Sequence, residues 1–460
     1  MSGHSSRSFC QSIGFPTRFA RGTGVLLLLA GLCVPGVTLA SDTPYEQEPI
    51  LYSDPVLDDP VSKLDAELAA GARVLDYEPG GRGYLRSVLR ALGISEASQT
   101  LVFSKTSFQR DRISPETPRA IYFNDDVYIG WVQGGDVLEV SSVDSQKGSI
   151  FYSMSQTRDE APRFQRHTHE CLQCHDGSLS QGVPGHIMRS VYTDPRGQPV
   201  LTAGTFVTNP QSPLRERFGG WYVSGTHGDQ VTMGNLIVRD KEHRQHPERI
   251  DLAPNGNHKE LTRFFDPQPY VVPHSDLVAL QVLAHQVYVH NLITKANHQT
   301  RFAVRDQVAI NKALGRPETE PLESTRSRIR SVGEPLLRAL LFADEPRLDA
   351  PIEGTSGFAN GFSERGPCDS QGRSLRQFDL QRRLFRYPCS FLIYTPAFDA
   401  LPEPQLDYLA QRMWQVLSGA DTSGRYTNLS AEDRTAIREI LRETKPGFTS
   451  RWPTQEGSTP

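Results

Sequence analysis

The sequence predicts an α+β fold: a small antiparallel β domain, followed by a loop-rich segment and a mainly α-helical carboxyl region. Two observations carry that expectation. Short runs rich in β-branched and aromatic residues, separated by turn chemistry, occupy residues 101–154, and after Pro273 the apolar pattern changes to the helical period.

The chain has 460 residues, and its first 40 read as a secretory signal peptide. Arg7, Arg18 and Arg21 supply the positive leader, residues 25–32 an apolar core, and Thr38, Leu39 and Ala40 a cleavage site before Ser41. That core is too short to span a bilayer, and bulky Leu32 before Cys33 argues against lipoprotein processing. Export would place the mature chain in the periplasm. Removing the leader lowers Lys+Arg from 49 to 46 against 53 Asp+Glu and moves the formal charge from −4 to −7. A mildly acidic surface gives no electrostatic footprint for nucleic acid. No later stretch reaches membrane-spanning length, so no permanent span is expected once the signal is removed.

Residues 41–60, rich in Pro, Asp and Glu, form an extended linker that wraps or dangles. Residues 61–158 make the small mainly-β domain, weakly helical over 62–92 and then stranded at 101–104, 120–124, 127–132, 137–143 and 149–154. Asn-Asp-Asp, Gly-Gly and Asp-Ser-Gln-Lys-Gly separate these runs, which predicts an antiparallel meander.

Residues 159–300 contain the most informative stretch, Cys171-Leu172-Gln173-Cys174-His175. CxxCH is the attachment signature of a c-type haem: two thiols add to the two vinyl groups, and the adjacent imidazole ligates the iron. One pentad implies one covalent haem c, with Cys171, Cys174 and His175 binding the cofactor and His175 as proximal iron ligand. A thiol redox pair or half a zinc site is the competing reading, but neither a βαβ context nor a second cysteine pair accompanies the motif. The dense glycines of 160–240 fit close backbone approach to a flat ligand, and equally a set of turns.

A helix over 274–295 is apolar almost all round, which marks it as buried. Further helices are predicted over 301–314, 325–342, 405–417 and 431–443 within an α-rich region, 301–445. The last starts at Ser430 with Asp433 three residues on, a variant of the capping box. Residues 446–460 read as a flexible tail. Cys368 and Cys389 would face an oxidising compartment, where a disulfide is the default expectation.

The sixth iron ligand separates an electron carrier from a catalyst. Met233 is the favoured distal candidate, in a loop 58 residues beyond His175, and His227 in the same glycine-rich stretch is the alternative. Met188 is close in sequence, Met154 and Met413 look like core, and His274, His285 and His290 cluster on or beside the buried helix. An open site remains a further option. Arg163, Arg166, Arg189, Arg215 and Arg217 are propionate candidates because guanidinium forks match carboxylates, whereas His167 and His169 either orient propionates or are simply solvated.

The chain resembles the large single-haem cytochrome c domain proteins of bacteria. The resemblance rests on residues 118–128 with Gly130 and Trp131, on GVPG (182–185) with RSV (189–191), and on GGWYV (219–223) and HSDLVAL (274–280). It extends to His285-Gln286 with His290-Asn291, to GRSLRQFDL (372–380) and to RLFRYPCSFLIY (383–394). It implies haem binding and electron transfer and supplies no substrate. Phe218 follows Arg217 where the resemblance leads one to expect Trp. The expectation is therefore a periplasmic single-haem c-type cytochrome with a redox partner protein. The alternatives are a haem-dependent oxidoreductase with a substrate cleft and a haem-based sensor or binding module.

Overall fold

The computed structural model of the protein describes residues 43–158 and 161–453. The signal peptide read over 1–40 lies outside the described residues, as does the end of the tail from 454.

The strands are β1 (Thr100–Val102), β2 (Arg119–Phe123), β3 (Val127–Trp131), β4 (Val137–Asp144), β5 (Gly148–Ser155), β6 (Phe164–His167), β7 (Arg189–Val191), β8 (Thr205–Val207) and β9 (Trp221–Tyr222). The helices are α1 (Pro60–Ala69), α2 (Leu85–Ala91), α3 (Leu172–His175), α4 (Lys241–Gln245), α5 (Leu277–Ala313), α6 (Glu323–Leu340), α7 (Phe358–Ser363), α8 (Pro396–Asp399), α9 (Glu403–Ser418), α10 (Ala431–Thr444) and α11 (Pro446–Thr449). The mixed α+β class is as expected.

Seven strands form one antiparallel sheet in the order β6-β5-β4-β3-β2-β1-β9, and β7 pairs with β8 in a second, small sheet. The meander β2 to β5 follows the expected runs closely. Both faces of the large sheet are covered, which is why β3 is buried at every position instead of alternating. Leu101, Ala120, Tyr122, Ile129, Leu138, Val140 and Met154 pack on one side with Val61, Leu64, Leu85 and Val88 of α1 and α2. Val102, Phe123, Tyr128 and Val143 on the other side join the core built around α5.

α5 is the spine of the carboxyl half. Its 37 residues span about 55 Å at the helical rise, joining the two helices expected over 274–295 and 301–314 into one. Buried Asp276 caps it, accepting from Val278 N at 2.8 Å and Ala279 N at 3.0 Å. α10 carries the capping box read from Ser430 and Asp433.

Both ends of the described chain carry packed residues. Tyr45, Ile50 and Tyr52 of the presumed linker are buried, and the Tyr52 hydroxyl donates to Ser149 O at 2.9 Å, so this segment wraps. The tail expected to be loose from 446 is held through 453. Phe448 and Trp452 are buried, and Arg451 pairs with Glu403 and Asp407. Cys368 and Cys389 stand as free cysteines, Cys389 buried in the core around α5 and Cys368 exposed.

Candidate functional site

α3 is a single turn built on the pentad. Cys174 N and His175 N both donate to Cys171 O, at 3.1 and 3.0 Å. Residues three apart on such a turn share a face, so the two thiols are neighbours. Leu172 is buried and anchors the turn, while Cys171 is half-buried and Cys174 exposed. Burial, followed by the nearby Glu139 and Glu170 carboxylates, pushes the Cys171 thiol up to about 11.

The loop after α3 turns back on its histidine. Ser180 Oγ donates to Val183 O at 2.9 Å, and Gly185 N donates to His175 O at 3.0 Å. His175 Nδ1 in turn lies 2.9 Å from Gly185 O. A carbonyl can only accept, so Nδ1 carries the proton and Nε2 keeps its lone pair. Burial holds His175 below the usual imidazole range, in the neutral form, although the Gly185 carbonyl acts in the opposite sense. Its ring packs on Phe151 of β5 with centroids 4.7 Å apart.

Strand register brings a second set of residues to the same place. Gly130 of β3 faces Ile121 on one side and Glu139 on the other. The Arg119 guanidinium lies over Gly130, where a Cβ would come within 2.2 Å of it, and reaches Glu139 at 2.7 Å. This largely buried pair acts electrostatically on both Cys171 and His175.

Behind the pentad stands a buried polar cluster. The His186 imidazole sits between Ser141 Oγ at 2.7 Å and Ser149 Oγ at 3.0 Å, its ring 4.2 Å from that of Tyr128. The Tyr128 oxygen accepts from Gln286 Nε2 at 2.9 Å and lies 2.9 Å from His290 Nδ1. The Tyr128 hydroxyl thus joins Gln286 to His290 Nδ1, and His290 Nε2 has no partner among the described residues. Burial drives His186 well below the ordinary imidazole range and His290 down to about 4.

The two distal candidates have neighbours that His175 does not share. Met233 is packed between Ser190, whose Oγ donates to the thioether at 3.6 Å, and Gly219, where a Cβ would lie 2.8 Å from the methionine methyl. His227 lies against Gly256 and accepts from Asn257 N at 3.4 Å. His274 precedes α5 instead of lying on it, and His285 stacks on Phe342 at 4.3 Å and bonds Ser390. Most of the arginines singled out from sequence are engaged elsewhere. Arg163 pairs with Asp65, Arg166 donates to Tyr52 O and Asp54 O, Arg189 donates to Thr205, and Arg217 donates to Gln281, Ser212 O and Pro210 O. Sequence reasoning missed Arg119 and Glu139. The available signal was the glycine in the middle of an otherwise apolar strand, which marks a close approach.

Among the described residues no three His, Cys, Asp or Glu side chains converge as a metal-ligating group, and no helix is long and apolar enough to cross a membrane. No family model, curated protein or solved structure matches this chain.

Proposed function

We propose that this chain is a periplasmic single-haem c-type cytochrome, with haem joined to Cys171 and Cys174 and His175 Nε2 as the axial ligand. The observation that carries the reading is the Nδ1 contact to Gly185 O, which fixes the tautomer an axial histidine needs and leaves Nε2 bare. The competing thiol reading is weakened by the direction of the Cys171 shift. Redox-active CxxC cysteines are activated by a lowered pKa, and here burial raises it to about 11. A zinc site needs three or four protein donors, and among the described residues no such set forms.

Haem bound at these residues supplies a one-electron iron couple. The chain's own part is to hold and tune it. Phe151 packs at a tilt against the His175 ring, Gly185 O keeps its proton on Nδ1, and the Arg119–Glu139 pair sets the local charge. Protein purified after export is expected to cycle reversibly between oxidised and reduced spectra and to exchange electrons with a small redox protein. A second reading, a haem-dependent oxidoreductase, draws on the placement of Met233 and His227 among neighbours that His175 does not share. Carbon monoxide separates the two: a ferrous spectrum that it leaves unmoved supports the carrier, and rapid binding supports the oxidoreductase.

A further inference from the structure

We propose that Asn291 is a positioning residue that sets how strongly His175 donates to the haem iron, acting through the Gly185–His186 peptide. The inference rests on the haem reading above and adds a control point on α5, far from the pentad in sequence.

The peptide unit joining Gly185 to His186 is bonded at both ends. Its oxygen accepts from His175 Nδ1 at 2.9 Å, and its N–H donates to Asn291 Oδ1 at 3.0 Å. Asn291 Nδ2 donates to the next carbonyl, His186 O, at 2.7 Å, so one amide side chain grips the segment twice. Hydrogen bonds in series through a single amide polarise one another. An acceptor at the N–H end thus makes Gly185 O a stronger acceptor for the His175 proton, and the His175 ring becomes a stronger donor at Nε2.

The clamp is built rigidly. Asn291 is 3% exposed, on the most buried stretch of α5, between His290 and Leu292, which are equally enclosed. Gly185 admits it: a Cβ there would lie 2.3 Å from Asn291 Oδ1 and 2.9 Å from its Cγ. Beyond the clamp, His186 is pinned to the sheet by Ser141 and Ser149, and Gly185 N is tied back to His175 O. The Gly185 carbonyl is therefore fixed by the helix on one side and the sheet on the other. Without Asn291 the helix side is released.

The test measures reduction potential and haem content together on the full-length exported protein. Asn291→Ala removes both bonds, so His175 donates less, the ferric form loses stabilisation and the potential rises. A tenfold change in the ferric-to-ferrous equilibrium, about 59 mV for one electron, is the expected size. Asn291→Asp is the conservative rescue. A carboxyl buried there stays protonated near neutral pH, can both accept and donate, and should hold the potential close to that of the parent. Asn297→Ala controls for general loosening of α5, because Asn297 bonds Ser145 O and Ala400 O and not the Gly185 segment; it should leave the potential unchanged. A parent protein with covalent haem and an Asn291→Ala potential equal to its own would overturn the inference. So would an equal rise in Asn297→Ala. If Asn291→Ala does not fold, Asn291→Leu, which keeps the side-chain shape and makes neither bond, must show the rise, and no rise refutes the clamp. A parent protein without covalent haem refutes the haem reading itself, a result distinct from all of these.

Discussion

The turn that carries His175 and the helix that carries His290 place the same side chain in opposite settings. His175 sits on one helical turn beside an exposed cysteine, Nδ1 tied to a backbone carbonyl and Nε2 left with a lone pair. His290 sits in the middle of a 37-residue buried helix, Nδ1 bonded to the Tyr128 hydroxyl and Nε2 enclosed without a partner among the described residues. With its proton committed to a carbonyl, His175 keeps on Nε2 the lone pair that the proposed haem iron would need, whereas both nitrogens of His290 are enclosed by the core. On the proposed reading the first region receives a group, and the second holds the first in place.

That division is open to attack, beginning with the largest effect. Leu280→Ala empties a fully buried position of α5 and is expected to cost about 3–5 kcal/mol in chemical denaturation, with haem attachment retained in the folded fraction. Stability unaffected by the change would deny α5 its role as the scaffold.

Acid should strike the same region next. Burial holds His290 down at about 4 and His285 at about 3, against about 6.5 when unfolded, so the unfolded chain binds protons that the folded chain refuses. Their contribution is fully present above pH 6.5 and is lost as pH falls toward 4, by up to about 3 kcal/mol for each ring. Replacing His290 with Gln should flatten that part of the stability–pH curve, and an unchanged slope would contradict the assignment.

Met233→Ala comes third, at about 2 kcal/mol, because the thioether fills a packed site beside Ser190 and Gly219. The optical spectrum should stay as it was. Disappearance of the weak red band of sulfur-ligated ferric haem would instead identify Met233 as the distal ligand. The smallest effect is reserved for the surface. Arg163→Ala breaks an ion pair with Asp65 whose arginine is 52% exposed, and chemical denaturation should register little or no loss of stability.

Local chemistry explains which parts of this architecture were readable. The meander from β2 to β5 and the cap of α10 depend on turns and residues adjacent in sequence. β9 was not readable, since Trp221 and Tyr222 reach the sheet edge only through pairing with β1, over a hundred residues away. The break expected between 295 and 301 failed for a tertiary reason. Asn297 and Thr300 look like helix-ending residues, but they bond Ala400 O and Gln405 across the core, and the helix continues through them. At the site, the pentad was legible because its spacing is covalent chemistry. The Gly185 carbonyl, Asn291 and the Arg119–Glu139 pair come together only by folding, and the preference for Met233 over His227 rested on chain position alone, without their neighbours.

The pyridine haemochrome spectrum of denatured, exported protein tests the central claim most directly, since only covalently held haem survives denaturation. One haem per chain with the absorption of a doubly thioether-linked haem, lost in Cys171→Ser/Cys174→Ser, is the expected result. Protein that keeps no haem after denaturation, or a linked haem that survives loss of both cysteines, would contradict it.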